Sequence, residues 1–150
     1  MYFRKLIGLL LFYSIGAATL FGSAAFATDL ASQSSEGLGV TIVIKPVKVL
    51  VGAATWSFQV SLSAQDQEVG DDLVRTAYIV NRADKKRLMP SAWVGDAPGG
   101  HQRKGVLSFK ALKPLPKAIE LRIARPGEKA PRLFRWDLDC PCNDPKMHTS

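Results

Sequence analysis

Histidine and cysteine are nearly missing from this chain: there are two of each in 150 residues, His101 and His148, Cys140 and Cys142. A serine or cysteine nucleophile needs a base beside it. The serines lie in alternating segments or polar linkers, and none sits in a Gly-x-Ser-x-Gly elbow. This scarcity argues against nucleophilic catalysis and for a protein that is not an enzyme. No segment carries apolar residues at helical spacing, and no glycine loop ends in Gly-Lys-Ser/Thr, which excludes a Walker site. The acidic residues Asp66, Glu68, Asp71 and Asp72 fit no calcium-loop spacing. Beyond the first 27 residues no apolar run approaches membrane-spanning length.

That first stretch is the most informative segment present. Arg4 and Lys5 precede an uncharged, mostly apolar run from Leu6 to Phe21, and Ala25-Phe26-Ala27 offers a small-residue cleavage site before Thr28. Positive charge, apolar core and small-residue site are the three parts of a secretory signal peptide. The alternative is an uncleaved anchor, because Leu6–Ala27 is 22 uncharged residues, enough to cross a hydrocarbon core of roughly 30 Å. Gly8, Gly16, Gly22 and the small residues after Ser23 weaken the late part of the run and favour cleavage. No cysteine follows it, which argues against a lipid-anchored protein. The expected location is the periplasm or the extracellular space, with membrane contact only during export. The expected plan is a signal peptide at 1–27, a flexible leader at 28–37, one domain at 38–138 and a flexible cysteine-containing tail at 139–150.

Charge is unevenly spread. Thr28–Asp72 carries two lysines against six carboxylates, whereas Leu73–Leu138 carries fifteen Lys/Arg against five. A basic half attracts phosphate, anionic polysaccharide or lipid headgroups. Nucleic acid is excluded as a partner by export and by the lack of a recognisable nucleic-acid module. The blander reading is ordinary solvated charge, as in the turn Lys85-Lys86-Arg87.

Apolar residues alternate with period two. Val40, Ile42 and Ile44 form one set, interrupted by Pro46 before Val47–Val51, and Trp56, Phe58, Val60 and Leu62 form the cleanest. Leu73–Val80 reads as a further strand, followed by Val106, Leu107 and Phe109, then Ile119, Leu121 and Ile123, then Phe134, Trp136 and Leu138. Six or seven short strands, each with one apolar face, predict an all-β fold of two antiparallel sheets packed as a sandwich, immunoglobulin-like or cupredoxin-like. The predicted core is Ile42, Ile44, Trp56, Phe58, Val60, Leu62, Ile79, Leu107, Phe109, Leu121, Ile123, Phe134 and Trp136.

The segment Trp93-Val-Gly-Asp-Ala-Pro-Gly-Gly-His-Gln-Arg-Lys-Gly-Val-Leu-Ser-Phe109 resembles that of a small family of exported bacterial and archaeal β-sandwich domains. Their pattern is Trp-x-Gly-x-x-Pro-Gly-Gly-His-His-Arg-x-Gly-Val-Leu-x-Phe. The family also has an upstream Trp-x-Phe-x-Val-x-Leu-x-Thr-His-Ser stretch and a last strand like Phe134-Arg135-Trp136-Asp137-Leu138. The resemblance covers roughly Val40–Leu138 and implies a fold but little biochemistry. This chain has His101-Gln102 in place of His-His, and Ala64-Gln65-Asp66 in place of Thr-His-Ser. A family metal site built on several imidazoles would therefore lack its ligands here.

Two places carry candidate chemistry. Pro98-Gly99-Gly100-His101 reads as a loop whose backbone N–H groups hold an anion, with Arg103 and Lys104 reinforcing the field and Trp93 as a stacking surface. The candidate ligand-binding residues are thus Trp93, Gly99, Gly100, His101, Arg103 and Lys104. The structural alternative is a connecting loop whose glycines take positive φ, with Trp93 serving as packing. In the tail, Cys140, Cys142, Met147 and His148 are a soft ligand set suited to copper(I). A strained Cys140–Cys142 disulfide or intermolecular pairing are the alternatives. The expected function is a binding or accessory protein of the cell envelope that meets an anionic ligand or a protein partner through Trp93–Lys104. The alternatives are a periplasmic copper-handling protein using the tail and an interaction subunit in envelope assembly. No cofactor is expected other than that copper.

Overall fold

A computed structural model describes residues 30–50 and 52–138; the expected signal peptide and tail lie outside the described residues. Along the chain run β1 (Gln33–Gly37), β2 (Val40–Lys48), β3 (Thr55–Ala64), a single helical turn α1 (Leu73–Thr76), β4 (Ala77–Val80), β5 (Arg87–Leu88), β6 (Ala92–Gly95), β7 (Gln102–Lys110), β8 (Ala118–Ile123) and β9 (Arg132–Asp137).

The period-two pattern acts directly here, because side chains alternate across a strand and only one face of each sheet can be buried. The strands pair antiparallel in two sheets, ordered β1-β2-β3-β7-β6 and β5-β4-β8-β9. Phe58 on β3 sits 5.6 Å from Trp136 on β9, ring centre to ring centre, and meets Phe109 edge-on at 5.8 Å. The sheets therefore pack face to face, as expected for an all-β sandwich. Every residue of the predicted core is buried. Each large apolar side chain so removed from water contributes about 1.5–3 kcal/mol.

Three local expectations are corrected. Pro46 does not end a strand: β2 continues through it to Lys48. Pro46 has no N–H for the ladder, and the register with β3 shifts between Pro46 and Lys48. Leu73–Val80 is not one strand. Asp72 C=O accepts from the N–H groups of Arg75 and Thr76, at 3.1 and 2.9 Å, and from Thr76 Oγ1 at 2.8 Å, closing a helical turn before β4 begins. The 28–37 leader is not flexible throughout, because Gln33–Gly37 is strand β1. It lacks an apolar face because its inward side covers a guanidinium: Arg132 on β9 donates to the carbonyls of Ser35 (2.9 Å) and Gly37 (2.7 Å).

That contact closes one side of the sandwich. The Gln33 side-chain amide donates to Arg135 C=O and accepts from Arg135 N–H at 3.1 Å, standing in for a strand neighbour on the β9 edge. The turn Leu38-Gly39, the stretch Gln65–Asp72 and the β6–β7 loop gather at one end, as the registers Val40↔Ala64 and Ser63↔Gln102 require, and the contacts of Arg125 with Asp71 and of Arg132 with Val40 bring the β8–β9 turn there.

Candidate functional site

The motif segment folds as β6, a loop and β7, and most of its unusual residues contact one another. Gly95 faces Gly105 across the two strands. A Cβ on Gly105 would stand 2.5 Å from Trp93 Cζ2, so the indole occupies the space a side chain there would need. Asp96 anchors the corner. Its N–H donates to Lys104 C=O at 2.9 Å, and its Oδ2 accepts from Lys104 N–H at 2.8 Å. Its carbonyl accepts from Trp93 Nε1 at 3.0 Å and from Arg103 Nε at 3.1 Å.

These contacts correct the placement of the predicted site. Arg103 is not presented to solvent. It is only 3% exposed, its guanidinium stacks 4.8 Å from the Trp93 ring, and its Nη1 donates to Asp71 C=O. The cause is parity: Arg103 lies on β7 with Gly105, Leu107 and Phe109, all on the inward face. Lys104, one residue on, points outward and is exposed. Gly99 and Gly100 do take positive φ, at 115° and 74°. However, Gly99 N–H donates to Val69 C=O at 3.1 Å, and Val69 N–H donates to Gly100 C=O at 2.8 Å. His101 is exposed, with Nδ1 3.0 Å from Gln67 C=O. The six residues do not converge on one open surface. Cys140, Cys142, Met147 and His148 lie outside the described residues, among which no group of three or more His, Cys, Asp or Glu is placed to hold a metal ion.

Beneath the same end runs a buried chain of charges. Asp71 receives Arg125 at 2.6 and 3.4 Å. Arg125 reaches Glu128 at 3.3 Å, and Arg132 reaches Glu128 through Nη2 at 2.6 Å and Nε at 3.1 Å. Arg132 Nη1 also donates to Val40 C=O at 2.8 Å. Hydrogen bonding from Arg132 holds the Glu128 carboxyl below its ordinary value against the opposing effect of burial, and the charges of Arg132 and Arg125 add to the shift. For Arg125, burial pulls the pKa down, but the hydrogen bond and charge of Asp71, with Glu128, outweigh it and move it up. This network ties the β1–β2 hairpin to β8 and β9, and its groups are spent on each other.

The outer face of the four-stranded sheet is different. Glu120 on β8 is buried there, its side chain 6% exposed, beneath three guanidiniums: Arg82 at 2.7 Å, Arg135 at 3.4 Å and Arg122 at 3.6 Å. Arg135 also meets Asp137 at 3.1 Å. Arg87 on β5 lies 4.6 Å from the centre of the Tyr78 ring. Registers Tyr78↔Arg122, Glu120↔Arg135 and Val80↔Arg87 put these side chains on one face. Three arginines thus share Glu120 and Asp137, and Arg87 beside them has no carboxylate partner among the described residues, leaving net positive charge on this face. Sequence reasoning gave none of them a site role, and it read Arg87, which lies on β5, as ordinary turn charge. The available signal was Arg122 and Arg135 alternating with Leu121, Ile123, Phe134 and Trp136.

Comparison with protein-family models, with curated proteins and with solved structures gives no match for this chain.

Proposed function

We propose that this chain is an exported, non-catalytic binding module of the cell envelope, an immunoglobulin-like sandwich whose contact surface is the arginine face of the four-stranded sheet. Its ligand is an envelope component presenting sulfate, phosphate or carboxylate groups. The observation that carries the reading is the cluster of Arg82, Arg122 and Arg135 around a single buried Glu120, with Arg87 stacked on Tyr78 on the same face. Planar guanidiniums suit bidentate recognition of such groups, and a patch of one sign raises the local concentration of opposite charge. This surface lies on the other sheet from the Trp93–Lys104 segment, where the sequence led us to expect the contact. Export rests on the amino-terminal segment. Strand order supports the immunoglobulin-like choice over the cupredoxin-like one: β2-β3-β7-β6 and β5-β4-β8-β9 follow the A-B-E-D and C′-C-F-G arrangement, with β1 added before it.

Retention on immobilised heparin, a sulfated polysaccharide, tests this. Arg87→Gln/Arg122→Gln is expected to weaken binding about tenfold, a loss of about 1.4 kcal/mol. Lys110→Gln/Lys129→Gln removes the same charge elsewhere and should leave retention nearly unchanged. Equal losses in the two variants would reduce the effect to net charge and defeat the proposal. Cosedimentation with phosphatidylglycerol vesicles, against phosphatidylcholine vesicles, separates a lipid source of the anion from a polymer.

A further inference from the structure

The outer face of the five-stranded sheet carries a second, independent surface. We propose that it binds a short, carboxylate-bearing oligosaccharide lying along β3. The central strand presents Ser57, Gln59, Ser61 and Ser63 outward. Ser61 between Val43 and Lys104, and Ser63 between Thr41 and Gln102, are shorter than their flanking side chains and leave a trough there. Two hollows lie in it. One, about 380 Å³, is bordered by Glu36, Thr41, Ser63, Asp66 and Gln102. The other, about 330 Å³, is bordered by Val43, Lys45, Gln59, Ser61 and Lys104. They adjoin, since Ser61 and Ser63 are successive outward residues of β3, as Gln102 and Lys104 are of β7. Each is within the size range of small-molecule sites, roughly 300–1,000 Å³.

The lining decides the ligand class. The outward hydroxyls and amides of β2, β3 and β7 in this trough make no side-chain hydrogen bond within the described residues, so their donors and acceptors remain for a ligand. Lys45, level with Gln59, and Lys104, level with Ser61, border the same hollow from opposite sides on adjacent levels, and a carboxylate between them would meet both cations. Glu36 and Asp66 stand at the other end, matched to hydroxyl or amino groups. From the level of Thr41 to that of Lys45 is four residues of strand, about 13 Å, which suits a short oligomer. An extended peptide fits less well. A sheet face offers it no backbone partners, and strand addition needs an edge. Val43 and Val106 give the apolar contact that a sugar ring's C–H face accepts.

The probe is a linear trimer of galacturonic acid, titrated into the full chain and followed by backbone amide NMR. Saturable shifts are expected at Thr41, Ser61, Ser63 and Lys104. Lys45→Gln/Lys104→Gln should weaken binding at least tenfold, and Ser61→Phe, which fills the floor, should abolish it. Unfolding midpoints of these surface variants verify that they fold. Absence of shifts at millimolar trimer, equal binding of the neutral trimer maltotriose, or shifts centred on Tyr78, Arg87 and Arg122 instead would each overturn the proposal. The last outcome would leave the arginine-face reading standing, and success here would leave that reading independent.

Discussion

Glu128→Gln is expected to lower the unfolding free energy by about 3 kcal/mol, because it leaves two buried guanidiniums facing a neutral amide. Arg125 and Arg132 have side chains only 5% and 6% exposed and converge on this carboxylate. Urea unfolding at neutral pH measures the loss. The same carboxylate contributes to the acid sensitivity of the fold. Hydrogen bonding from Arg132 holds its folded pKa below the ordinary 4.5. A carboxyl so depressed lends stability that is fully present above its unfolded pKa and is lost as pH falls through the folded value. Wild-type stability should fall as pH drops below about 4.5, and the Glu128→Gln variant should show a shallower fall across the same window. Parallel pH profiles would contradict the role given to this group.

Gly95→Ala is the second large effect, about 3 kcal/mol or more of destabilisation. An added methyl would overlap Gly105 Cα and Lys104 C=O. Both are backbone, so no rotamer change relieves the overlap and β6 must separate from β7. That separation would also pull Asp96 from Lys104 and Trp93 from Arg103. Hydrogen exchange should show selective loss of protection in β6 and the facing half of β7, with the Trp93 indole N–H released from Asp96 C=O. An alanine variant of wild-type stability would mean that the motif glycines are not there for close packing.

The core was legible in the sequence because burial of one sheet face imposes period two on the apolar residues, and Trp56–Leu62 and Phe134–Trp136 obey it without exception. β1 was not legible, since its inward residues Gln33, Ser35 and Gly37 cover a guanidinium and a neighbouring strand's backbone in place of apolar side chains. The burial of Arg103 was readable in principle: it shares parity with Leu107 and Phe109. Its charge concealed this, because an arginine beside a glycine loop reads as solvent-facing. The convergence of Arg82, Arg122 and Arg135 on Glu120 depends on the registers of three strands and a turn, none of which local patterning specifies. The Pro-Gly-Gly-His loop was legible as a glycine-dependent turn, but the partner of its amide, Val69, lies thirty residues earlier.

The arginine face of the four-stranded sheet is the proposed binding surface. Its most direct test follows the arginine Nε–H signals by NMR while a sulfated heparin oligosaccharide is added to the full chain. The signals of Arg82, Arg87, Arg122 and Arg135 should move together and saturate, while those of the internally committed Arg103, Arg125 and Arg132 stay in place. Movement confined to the Gly99–Lys104 segment, or no saturable movement at the four arginines, would contradict it.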